Sequence, residues 1–144
     1  MFKKGFTLIE ILLVVAAIAI LAGIVILAIN PTKQLGETRN ARRRADVTTI
    51  LNAVYQYAID HNGTIPSSIN TIEREICKYN YGDCTGYVDL SVVAADAKYV
   101  VDWPMDPSGI ASGGIGYNIY RDTNNRVIVT APHAEQNATI SVSR

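Results

Sequence analysis

The chain has 144 residues, with 13 Lys plus Arg against 13 Asp plus Glu, zero formal net charge and 49% hydrophobic residues. That length suits one domain; the hydrophobic share excludes an intrinsically disordered chain, and the balanced charge argues against a general nucleic-acid binder, which would be clearly basic. The apolar residues are unevenly placed: residues 6–29 contain only Thr7, Glu10 and Gly23 as non-apolar members, and outside that run the hydrophobic share falls to about 41% (49 of 120 residues), ordinary for a soluble domain.

Residues 11–29 carry no charge or strongly polar group, and as a helix they would cover about 28 Å, close to a bilayer core. This predicts a membrane anchor. A secretory signal peptide is the alternative, because Lys3 and Lys4 supply a basic start. The run is longer than the 7 to 15 residues, roughly, of such a signal and has no clear small-x-small cleavage site, although Gly23 and Ala28 leave that reading open. Glu10 is the informative residue. A carboxylate in a membrane-length helix costs up to about 2.5–3.5 kcal/mol at full depth and less near the interface, and usually marks a function. No Lys or Arg lies in the 20 residues that follow it. An α-amino group created at Phe6 would stand four residues before it and could neutralise it, in the same chain or in a neighbour.

The string Lys3-Lys4-Gly5-Phe6-Thr7-Leu8-Ile9-Glu10, followed at once by the apolar run, resembles the leader of type IV pilins and of the pseudopilins of type II secretion and competence systems. The resemblance implies cleavage between Gly5 and Phe6 by a membrane-embedded prepilin peptidase and N-methylation of Phe6. It also implies that Glu10 registers each incoming subunit against a neighbour's N-terminus. Loss of Lys3 and Lys4 would leave 11 basic against 13 acidic side chains, a net charge of −2.

Asn30-Pro31 interrupts the helical pattern. Proline lacks the N–H that would bond back to Leu27 and disfavours the α conformation at Asn30, so the helix kinks, loosens, or restarts with Asn30 as cap and Pro31 in the first position. A kink or loosened turn at Pro31 is favoured, with Gly23 as a second weak point. Val47, Ile50, Leu51, Val54, Tyr57 and Ala58 then follow the three- and four-residue spacing of an amphipathic helix over 32–62, and Asn62-Gly63 with Pro66 marks its end. Residues 6–62 as one helix would be about 85 Å long, more than any globule the remaining residues could build, so the N-terminal half is expected to protrude. Arg39, Arg42, Arg43 and Arg44 form the strong charge cluster. A phosphate-binding patch for DNA or lipid headgroups is one reading. The favoured one is a solvated helix face paired with Glu37, Asp46 and acids of neighbouring subunits, since no aromatic residue is interleaved.

All eight tyrosines and the tryptophan follow residue 54, marking a separate core. Ser67 or Ser68 is expected to cap a short helix through Ile69, Ile72 and Ile76, and Tyr99-Val100-Val101 reads as a strand before the turn-rich residues 103–109. Residues 117–121 and 126–131 alternate and flank the four-residue hairpin turn 122–125, and residues 138–142 suit a short edge strand. The Pro104-Met105-Asp106-Pro107 element followed by a Tyr-bearing strand resembles, more weakly than the leader, the major pseudopilin and related short pilins. Cys77 and Cys84 are too few for a zinc site and far in sequence from His61 and His133, so a disulfide-closed loop is favoured over free thiols if the domain is exported. No phosphate loop, metal-ligand run or nucleophile motif is present. Asp122, Asn124 and Asn125 suit a plain turn better than a calcium loop. The sequons at Asn62 and Asn137 read as exposed sites at most.

The expected fold is α+β: a long N-terminal helix, with a hydrophobic half and an amphipathic half, packed on an antiparallel sheet of three to four strands. The expected organisation is a leader at 1–5, an assembly helix at 6–29, an amphipathic half at 30–62 and a head at 63–144. The expected function is that of a prepilin, a non-enzymatic structural subunit without metal or cofactor. It would be stored as a single-pass protein in the bacterial inner membrane and polymerised into an extracellular or periplasmic helical filament. Its partners would be copies of itself and related pilins, prepilin peptidase, the pilus or secretion assembly machinery and membrane lipid. A pseudopilin of a secretion or DNA-uptake system is the alternative within the class. A single-span anchored binding domain that never polymerises is the alternative outside it, and it has no reason to carry the Gly5-Phe6 junction with Glu10.

Overall fold

The structure is a computed structural model that describes residues 5–109 and 113–144. Met1 to Lys4, the basic part of the expected leader, lie outside the described residues. The chain divides into two compact units, Met1–Leu35 and Gly36–Arg144.

In the first unit, helix α1 spans Leu8–Ile29 and buries none of its residues. It runs through Gly23 without interruption, so the weak point expected there is not a break; a lone glycine costs only about 1 kcal/mol relative to alanine, which long apolar flanks tolerate. The break falls at Asn30. With φ at +46° this residue ends α1 in the left-handed conformation, and its side-chain oxygen accepts the Lys33 N–H at 3.3 Å. Helix α2 (Pro31–Asp60) thus starts with Pro31 in its first position. The loosened turn favoured from the sequence gives way to the alternative of a capped restart, because proline's missing N–H leaves no bond unmade at a helix start.

In the second unit α2 buries Gly36, Asn40, Arg43, Val47, Ile50, Leu51, Ala53, Val54 and Ala58, one face at three- and four-residue spacing. The helix ends at Asp60 rather than at residue 62. Asn62 and Gly63 adopt φ of +54° and +84°, and the Gly63 N–H donates to the Ala58 carbonyl at 2.7 Å, capping an end that would otherwise leave carbonyls unsatisfied.

A four-stranded antiparallel sheet in sequential order follows: β1 (Arg74–Cys77), β2 (Gly114–Arg121), β3 (Val127–Thr130) and β4 (Ser141–Ser143). Alternate residues Ile115, Tyr117 and Ile119 of β2 and Val127 and Val129 of β3 point inward and join Val47, Ile50 and Val54 of α2 in one buried cluster with Leu90, Val93 and Trp103. The architecture is α+β, as expected. Asp122 closes the β2–β3 hairpin by accepting the N–H groups of Asn124 and Arg126. The connection runs over 122–126, one residue longer than the expected turn.

Three expected elements differ. Residues 67–73 form turns rather than a helix, and Ile76 belongs to β1, because pairing of Arg74 with Ile119 and of Glu75 with Asn118 outweighs an ambiguous apolar spacing. Residues 99–101 form no strand. Asp96 and Ala97 take φ of +56° and +52° just before them, and Tyr99 and Lys98 tie the segment to Asp60 of α2. The edge strand is shorter than 138–142 and shifted to Ser141–Ser143. The helix α3 (Ser91–Ala94) and a 3-10 turn (Ala95–Ala97) complete the described elements.

Cys77, buried in β1, is bonded to Cys84, with Cα atoms 5.6 Å apart, within the range a disulfide needs. Replacing both cysteines by alanine is expected to lower stability by about 2–3 kcal/mol, the value for so short a loop. Denaturant unfolding of the full chain checks this, and an unchanged midpoint would show that the loop holds without its bond.

Candidate functional site

Two clusters carry the chemistry suggested by the sequence, one in each compact unit. In the first unit, Thr7 takes extended backbone angles and caps α1. Its hydroxyl accepts the Glu10 N–H at 3.3 Å, while the Glu10 carboxylate accepts the Thr7 N–H and the Thr7 hydroxyl, each at 3.2 Å. This reciprocal capping box satisfies two helix-start donors and places an acid where the helix dipole favours negative charge. No cation pairs with Glu10 among the described residues.

Gly5 and Phe6 stand exposed immediately before this box, Phe6 at 83% of its full accessibility, and Gly5, Phe6, Thr7 and Glu10 line one open recess. The peptide bond between Gly5 and Phe6 therefore lies outside the helix, in backbone that an enzyme can reach. Behind it α1 offers 22 residues, about 33 Å of helix, long and apolar enough to cross a membrane.

In the second unit the arginine cluster divides. Arg43 is wholly buried and uses all five of its N–H donors. Nε and Nη2 grip the Asp106 carboxylate at 2.7 and 3.0 Å, Nη2 also donates to the Ser108 hydroxyl, and Nη1 donates to Asn40 at 3.0 Å and Glu135 at 2.9 Å. Arg39 holds Glu135 with two bonds of 2.6 Å. Asn40 bonds the Glu135 backbone through both ends of its amide.

The Arg39 side-chain bonds, followed by those of Arg43, hold the Glu135 carboxyl down to about 2. Burial alone would raise Asp106, but the bonds from Arg43 and Ser108 outweigh it and keep that carboxyl below its ordinary value. Burial, together with the Asp46 carboxylate that accepts its hydroxyl at 2.7 Å, pushes the Tyr117 phenol well up.

The solvated, intersubunit reading of Arg39 and Arg43 is thus corrected: both are engaged inside their own head. Arg43 stands three residues after Asn40 and four before Val47, on the buried stripe itself, and this spacing is the signal that marks it. Arg42 makes a 3.8 Å pair with Asp46 and stays exposed, as does Arg44. Of the four arginines of the cluster, these two face solvent. Among the described residues no group of three or more His, Cys, Asp or Glu side chains is placed to hold a metal ion.

Residues 1–26 match the family model described as the prokaryotic N-terminal methylation motif, and residues 27–144 lie outside that match. No curated protein and no solved structure matches the chain. The capped, exposed junction and the apolar helix behind it are thus the structural form of a known sequence signal, and the chain carries at its N-terminus the signature of type IV pilins and pseudopilins.

Proposed function

We propose that this chain is the precursor of a filament subunit, cut between Gly5 and Phe6, N-methylated at Phe6, stored in the bacterial cytoplasmic membrane through α1, and polymerised through the same helix into a pilus-like fibre. The observation that carries this reading is the exposed Gly5-Phe6 junction directly ahead of the Thr7–Glu10 capping box and of a 22-residue apolar helix that buries nothing in its own chain. Such a helix has two stable surroundings, lipid and copies of itself.

Before assembly, Thr7 satisfies part of the Glu10 carboxylate's hydrogen bonding, which lowers the penalty of holding the acid at the membrane edge. After cleavage, the Phe6 amine supplies the missing positive charge. A neighbour's amine brought to Glu10 forms a charge-assisted hydrogen bond in a water-poor setting, where it is strong. Each subunit carries both an amine and an acid, so docking one subunit leaves a free group for the next, and a head-to-tail, non-closing series of such contacts generates a helical filament. No residue in this scheme performs catalysis; prepilin peptidase and the assembly machinery supply it.

Mass spectrometry of the mature N-terminus, on chain recovered from cells that express a prepilin peptidase, tests the reading. The expected product begins at Phe6 and carries one methyl group on its amine. Retention of Met1, or cleavage beyond Ala28, would overturn it.

A further inference from the structure

The alternation that turns Ile115, Tyr117 and Ile119 into the core also sets Arg121 on the inward register at the end of β2. There the turn after α2 covers it: Gly63, Thr64, Ile65, Arg121 and Asn125 line a cleft of about 220 Å³. The Arg121 Nε is buried with no hydrogen-bond partner. Its guanidinium makes no ion pair among the described residues, and the nearby acid is not available to it, because Asp122 is held by Arg126 at 2.8 Å. The Thr64 hydroxyl and the Asn125 amide, the neutral donors of this lining, also make no side-chain hydrogen bond among the described residues. Three polar side chains without a protein acceptor therefore converge on one cleft, in a head that engages all five donors of Arg43. Native structures seldom leave a buried donor unmatched without a reason, and a guanidinium fork is matched best by an oxyanion.

We propose that this cleft binds a single oxyanionic group, a carboxylate or a phosphate, with Arg121 as the charged donor and Thr64 and Asn125 as neutral ones. The volume accommodates one such group rather than a whole drug-sized ligand. The site lies wholly within the head and is independent of the assembly role proposed for α1.

The test is a titration of the isotope-labelled full chain in detergent micelles with inorganic phosphate and, separately, with acetate, against sodium chloride at matched ionic strength. The expected result is a saturable shift of the Arg121 Nε–H signal and of the Thr64 and Asn125 amides, with a Kd of about 1 mM or tighter. Arg121→Gln should weaken it at least about tenfold, while Arg44→Gln, at an exposed position of α2 outside the cleft, leaves it in place. Saturation by phosphate alone assigns a tetrahedral oxyanion, by acetate alone a carboxylate, and by both the shared chemistry. If Arg121→Gln does not fold, Thr64→Val, at an exposed position, should weaken binding about threefold or more. No saturable shift with either anion, or identical titrations of the native chain and the folded variant, would overturn the proposal.

Discussion

Replacing Asp106 by alanine is expected to lower the stability of the head by about 3–5 kcal/mol, the cost of leaving a buried charge without its partner. Arg43 is fully buried, and Asp106 supplies two of its five acceptors; Glu135, itself about a third exposed and shared with Arg39, compensates only in part. Denaturant unfolding followed through the fluorescence of buried Trp103 measures this. A loss below about 1 kcal/mol, the value for an exposed pair, would show that water reaches Arg43. The double variant Arg43→Met/Asp106→Leu removes both charges and should be less destabilising than Asp106→Ala, because the unpaired charge, rather than the absent attraction, dominates the loss.

The same cluster sets an acid limit. The folded-state values of both Asp106 and Glu135 lie below their ordinary carboxylate values. Their contribution is therefore present above the unfolded values and is lost as pH falls through the folded ones. Stability should decline as the solution is acidified from about 4.5 toward about 2, the span between the ordinary and folded values of Glu135. In the Asp106→Ala variant that decline should be shallower.

Glu10→Ala should leave cleavage at Gly5 intact and reduce filament yield at least about 100-fold, corresponding to about 3 kcal/mol for breaking one buried charge pair. Glu10→Gln separates the two roles of this residue. A glutamine three residues into the helix preserves the capping box but offers no charge to an incoming amine, so α1 should begin unchanged while assembly fails. Normal filament yield from either variant, scored by electron microscopy against processed subunit in the membrane, would refute the registry role.

Elements whose causes are local were legible in the residues. The apolar run needs no partner to be recognised, and Gly5, Phe6, Thr7 and Glu10 fall within six consecutive residues. Asn62-Gly63 ends a helix because asparagine and glycine tolerate positive φ, and the β2–β3 hairpin follows from alternation around a polar turn. At Asn30 the local rule allowed both a kink and a restart, and the side-chain bond to Lys33 selected the restart.

Elements whose causes are distant were not legible. Ile69, Ile72 and Ile76 suit a helix by spacing, and the backbone of β2 made Ile76 a strand residue instead. Val100 and Val101 have strand-forming side chains but found no ladder, and Val101 is left 78% exposed. The arginine cluster shows the division most clearly. Its sequence determined that Arg43 would share a helix face with Asn40 and Val47. Its burial depended on Asp106, 63 residues away, and Glu135, 92 residues away, because a charge enters a core only when the tertiary fold brings acceptors for every donor. At Arg121, half-buried at the end of β2, the fold buried Nε without an acceptor, and that difference between two arginines is set by long-range packing.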